Sequence, residues 1–156
     1  MKSKQEKETL RLTVDASVWI NARSPREKGY NQSKKALMII EEMNIPVFSP
    51  SILIVELAAS VSRATGDEKA GILFSRLVSE LPNIELMPVT LELARDAAVI
   101  ASRLKIRGAD ALYCAVAAER KAVLLSRDRE QIERAKGLIK VIEPDDFIAA
   151  FTEDAL

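Results

Sequence analysis

An alternation constrains the fold more than any other feature. Five short apolar runs, at 11–15, 46–48, 84–87, 122–126 and 139–142, are separated by segments of helical length and periodicity. The runs are too short for helices and are bounded by polar or turn residues, so they read as strands. Segments 31–44, 67–81, 90–105, 110–121, 128–136 and 144–151 read as helices, with Thr90 a cap of the third. A further helix over 49–66 takes Ser49 as N-cap, Pro50 as first residue and Gly66 as stop. Strands alternating with helices pair through crossovers, which predicts an α/β architecture around a mostly parallel sheet. At 156 residues one domain is expected, over 10–150, with a leader at 1–9 and a tail at 151–156.

Absences narrow the chemistry. The chain has no histidine and a single cysteine, Cys114. That excludes the usual Cys/His zinc sites, Ser-His-Asp catalysis and Cys-His catalysis. Neither Gly-rich phosphate-binding loop is present. No run reaches the ~18 apolar residues of a membrane span, and the charged start lacks the core of a signal peptide. A lone cysteine forms no internal disulfide and suits a reducing cytoplasm, the location expected here. Charge balances at 23 basic against 23 acidic residues, which argues against a general nucleic-acid binder. Two stretches depart from the balance. Residues 20–35 carry five bases against Glu27, and 101–129 carry seven against three acids.

Carboxylates are then the available tools, and four stand out. Asp15 ends the first strand and Asp128 follows the fourth, the edge at which α/β sheets bind ligands. Glu56 interrupts "ILIVELAASV", a helix apolar nearly all round and therefore expected to be buried. It shares a face with Ile52, Leu53, Ala59 and Ser60. A buried glutamate must be paired or must face a polar cavity. Asp110, after Gly108, opens the helix "DALYCAVAA", with Tyr113, Cys114 and Ala117 on its face. Helix capping is a competing role for Asp110 and for Asp128. Glu92, Asp96, Asp145 and Asp146 read as solvated or as first-turn acids and are set aside.

Two carboxylates ~5 Å apart repel by about 3 kcal/mol at an effective dielectric of ~20. Four converging acids must therefore take up protons or hold a cation. Oxygen ligands favour Mg2+ or Mn2+, which engage phosphate oxygens and suit hydrolysis of a phosphodiester. Arg103, Lys105 and Arg107 precede Asp110, and Arg127 and Arg129 flank Asp128. These bases are placed to hold a phosphate backbone.

"VDASVWI", the Glu of "SILIVELAAS", "RGADALYCAVAAE" and "AVLLSRDRE" together resemble the four acidic signatures of the PIN-domain nucleases. The resemblance is nearest to the prokaryotic toxins of VapC type. It spans about residues 10–148 and keeps all four acids in order. It implies a three-layer α/β/α fold with about five strands and Mg2+- or Mn2+-dependent endoribonuclease activity. Asp15, Glu56, Asp110 and Asp128 would be the catalytic metal carboxylates, supported by the hydroxyls of Ser17 and Ser126. A small antitoxin partner and a homodimer are implied as well. Ser126 stands where threonine is common in the family, and residues 21–33 form a polar, basic stretch that reads either as altering substrate access or as a plain loop. Two other classes fit part of the pattern. A phosphotransfer protein of receiver or dehalogenase type also carries an acid after its first strand, but with an acidic pair or D-x-D. Here the stretch is Asp15-Ala16-Ser17. A non-catalytic RNA- or partner-binding domain on the same fold is the other.

Overall fold

The computed structural model describes residues 9–153. The expected leader, Thr9 aside, and residues 154–156 of the expected tail lie outside the described residues. The strands are β1 (Leu12–Val14), β2 (Val47–Pro50), β3 (Ile84–Met87), β4 (Val123–Leu125) and β5 (Val141–Ile142). They form one parallel sheet in the order β3-β2-β1-β4-β5. The helices are α1 (Ala16–Asn21), α2 (Tyr30–Glu42), α3 (Ile52–Thr65), α4 (Glu68–Ser79), α5 (Leu91–Leu104), α6 (Gly108–Arg120), α7 (Arg129–Ala135) and α8 (Pro144–Glu153). Helices cover both faces, giving the three-layer α/β/α arrangement. No helix among the described residues is long and apolar enough to cross a membrane.

The centre of the sheet is the most deeply buried part. All three residues of β1 are buried, as are Leu124 and Leu125 of β4. This continuous burial is what a parallel strand covered on both faces requires. α6 packs across β1, β2 and β4, and its Ala111, Ala115 and Ala117 allow a close approach. Strands step from β1 to β2 and β3 on one side, and from β1 to β4 and β5 on the other. The boundary between β1 and β4 is therefore the topological switch point, where a crevice opens at the carboxyl ends.

Three local expectations are corrected. Ser49 and Pro50 do not start a helix: they pair with Leu86 and Met87 of β3. The Ser51 N–H continues that ladder to the Met87 carbonyl at 2.8 Å, and α3 begins at Ile52. Extended pairing between two strands outweighs one local cap at this boundary. α3 is also not buried all round. It forms a hairpin with α4 and leaves Ile54 and Val55 exposed. The hairpin is tight at Gly71, where a Cβ would run into the Ala58 carbonyl and the Ser62 hydroxyl. Finally, α6 begins at Gly108, with Arg107 in the cap position, so Asp110 is its third residue. Gly66 does end α3, in the left-handed conformation at φ 70°, and Thr90 caps α5 by accepting from the Leu93 N–H.

Candidate active site

A cavity of about 420 Å3 opens at the switch point, and Asp15, Glu56, Asp110 and Asp128 all line it. Each acid comes from a different element. Asp15 directly follows β1, and its own N–H extends the β1–β4 ladder to the Leu125 carbonyl at 2.9 Å. Its carboxylate caps α1 by accepting from the Ser17 N–H at 3.0 Å. Asp128 caps α7 in the same manner, accepting from the Gln131 N–H at 3.0 Å. Capping and a site role coexist at these two residues. Asp110 is different: its carboxylate accepts from no helix N–H, and its partner is the Arg107 Nε at 3.1 Å. The capping reading of Asp110 fails.

Glu56 stands on the cavity side of α3, one turn before Ser60 and two before Arg63. Ile52 shares the cavity wall with it, whereas Leu53 turns into the core. The Tyr113 hydroxyl donates to Glu56 Oε2 at 2.5 Å. Burial and the neighbouring acids hold the Tyr113 phenol well above its ordinary pKa, so it keeps its proton and acts as donor.

Asp15, Asp110 and Glu56 are shifted upward. Burial raises Asp15, with the charge of Asp128 adding to it and the Ser17 contacts opposing it. Burial likewise raises Asp110, helped by Asp15 and opposed by Arg107. Glu56 is raised by burial and by the charges of Asp15 and Asp110, against the Tyr113 hydrogen bond. Mutual repulsion in a half-dry cavity is the state a divalent cation relieves.

A residue outside the sequence reading ties the acids together. Gln131 is fully buried, and its Nε2 donates to Asp15 Oδ1 at 3.4 Å and to the Asp110 carbonyl at 3.3 Å. Its Oε1 accepts from the Ser126 hydroxyl at 2.6 Å, while Ser126 Oγ accepts from the Asp128 N–H at 3.0 Å. Ser17 Oγ accepts from the Arg127 N–H at 3.1 Å. The two hydroxyls therefore join the β1 and β4 ends. A signal for Gln131 did exist, because Asp128-x-x-Gln131 has the spacing of a capping box.

Of the five bases singled out in the sequence, only Arg107 lines the cavity. Its guanidinium reaches Asp128 Oδ2 at 2.7 Å as well as Asp110. Arg103, Lys105 and Arg129 are exposed outside it; the Lys105 carbonyl accepts from Arg134. Arg127 turns to the polar 21–33 stretch, donating to the Lys28 carbonyl at 3.2 Å. It lies against Gly29, whose φ of 85° suits glycine and where a Cβ would meet the guanidinium. Arg63, missed in the sequence, lines the cavity. It lies seven residues after Glu56, on the same helical face.

A family model for the PIN domain matches residues 12–138. The chain belongs to the PIN domain family. No curated protein matches it by sequence. Solved structures share the fold at low identity. Mycobacterium tuberculosis VapC20, described as a sarcin-ricin loop cleaving toxin, is 15% identical with a TM-score of 0.66, covering 82% of this chain and 95% of its own. PAE2754 of Pyrobaculum aerophilum is 16% identical at 0.65, covering 94% and 98%. A toxin-antitoxin complex from Klebsiella pneumoniae contains a chain 19% identical at 0.61, covering 85% and 97%. This PIN domain thus places its four acids at the switch point of a fold it shares with toxins.

Proposed function

We propose that this PIN domain is a Mg2+- or Mn2+-dependent endoribonuclease and the toxin of a toxin–antitoxin pair. The observation that carries the reading is convergence. Four acids from four separated elements line one cavity, in a chain without histidine. PIN domains are generally nucleases, and structural neighbours include an RNA-loop-cleaving toxin and a toxin–antitoxin complex. The reading expects a small antitoxin, a second copy of the chain and RNA in the cytoplasm as partners.

The donor set fits a hard divalent cation: oxygen ligands only, with a guanidinium already standing as the positive charge between two of them. No three acids among the described residues are gathered closely enough to ligate one ion together. Mg2+, which keeps several waters and takes one or two carboxylates, suits such a site. One or two of Asp15, Glu56, Asp110 and Asp128 would hold it directly and the others through its waters, and when bound it would supply Lewis-acid activation of a phosphodiester. Gln131 and the Ser17 N–H fix Asp15 in place, so that its geometry is set before substrate arrives. Glu56, its Oε2 held by Tyr113, is the proton acceptor, because its raised basicity suits uptake of a proton from water. Arg107 and Arg63 at the cavity, with Arg103, Lys105, Arg127 and Arg129 beyond it, bind the RNA backbone.

Labelled RNA incubated with the purified protein tests this. Cleavage should require Mg2+ or Mn2+ and disappear in Asp15→Asn. Undiminished cleavage in excess chelator, or by that variant, contradicts the reading.

A further inference from the structure

Arg107 is in an odd place for a substrate-binding residue. It occupies the cap position of α6, where its side chain makes no cap hydrogen bond. A cation is disfavoured there by the positive end of the helix dipole. What holds it is the pair of acids, Asp110 Oδ2 at 3.1 Å and Asp128 Oδ2 at 2.7 Å. Asp128 Oδ1 already caps α7, so Oδ2 is the oxygen left for an ion, and the guanidinium has it. The Arg107 side chain is nevertheless 71% exposed, against 11% and 20% for its partners. Among the described residues, only these two acids hold its guanidinium.

We propose that Arg107 is a built-in counter-ion of the clustered acids, which must let go of Asp110 and Asp128 for a divalent cation to be held there. The proposal rests on reading the four acids as a metal site. The arginine neutralises two of the repelling carboxylates and spaces them with its rigid fork. Metal and guanidinium compete for the same oxygens, so metal affinity is set below what the acids alone would give. Once displaced, the guanidinium stands free at the cavity mouth, where a backbone phosphate can take it up. Metal loading and substrate binding are thereby coupled through one side chain.

Calorimetric titration of Mn2+ at pH 8, without RNA, tests this on wild type, Arg107→Gln, Arg107→Lys and Arg76→Gln. Arg76→Gln, on the exposed side of α4, controls for the loss of one positive charge. Arg107→Gln should bind Mn2+ about three- to tenfold more tightly, the span of two partly exposed charge-assisted contacts. Arg107→Lys, which cannot bridge both acids, should fall between, and Arg76→Gln should match wild type. In parallel, the Arg107 Nε–H resonance, assigned by its loss in Arg107→Gln, should move to the free-arginine position as wild type saturates with Mg2+. Equal or weaker binding by Arg107→Gln while wild type binds overturns this proposal alone, as does a resonance unmoved at saturation. Absence of binding in both overturns the metal reading together with it.

Discussion

Two cavities of nearly equal size lie at the carboxyl edge of the sheet, and both contain acids. One, about 420 Å3, opens at the β1/β4 switch point with Asp15, Glu56, Asp110 and Asp128. The other, about 410 Å3, lies beyond β3 and is lined by Glu92, Asp96 and Glu119. The acids of the second are all exposed and keep their water. Those of the first include the buried Asp15 and Asp110, both raised by desolvation and by neighbouring acids, Asp15 by Asp128 and Asp110 by Asp15 and Asp128. The number of carboxylates therefore does not distinguish a site from a surface. Burial at the switch point does, because of the two cavities it is there that the protein gives up stability to hold the charges together.

The sharpest way to break this contrast is substitution on each side. Asp15→Asn should lower RNA cleavage by about a hundredfold or more, the scale of losing a preorganised charged group. Glu92→Gln with Asp96→Asn should leave turnover and melting temperature where they are. Equal losses from both would erase the distinction.

A smaller effect concerns stability. Asp110 has a folded pKa above its unfolded value, so charging it costs stability that is absent below the unfolded pKa and complete above the folded one. Asp110→Asn should thus stabilise the metal-free protein at pH 8 by about 1 kcal/mol, with the gain fading as pH falls towards 4. Urea melts across that range check the sign. A loss of stability at pH 8 that fades on acidification would mean Asp110 is a stabilising partner of Arg107 instead.

Smaller still is the contribution of Tyr113. Its hydrogen bond holds Glu56 below the value that burial would otherwise impose. Tyr113→Phe should lower kcat about three- to tenfold and move the acid limb of the pH–rate profile upward. A loss with no movement of that limb would remove Glu56 from proton transfer.

The same contrast explains what could be read in the sequence. Strand and helix alternation and the placement of Asp15 and Asp128 at strand ends were legible, since both follow from local periodicity. Glu92 and Asp96 were also separable, because charged neighbours mark a solvated helix face. Three things were not. α1 has only six residues, too few for a period. Ser49 and Pro50 carry a convincing local cap signal that loses to pairing with β3. Gln131 and Arg63 gain their meaning from what lies across the cavity, and Arg107 reads as a free phosphate ligand until its contacts with Asp110 and Asp128 are seen.

Diffraction from crystals soaked in Mn2+, with anomalous scattering recorded at the manganese edge, tests the central claim most directly. The account predicts a peak in the β1/β4 cavity, within ligand distance of at least one of Asp15, Glu56, Asp110 and Asp128, and none beside Glu92, Asp96 and Glu119. A peak at the β3 cavity alone, or no peak at the four acids at saturating Mn2+, would contradict it.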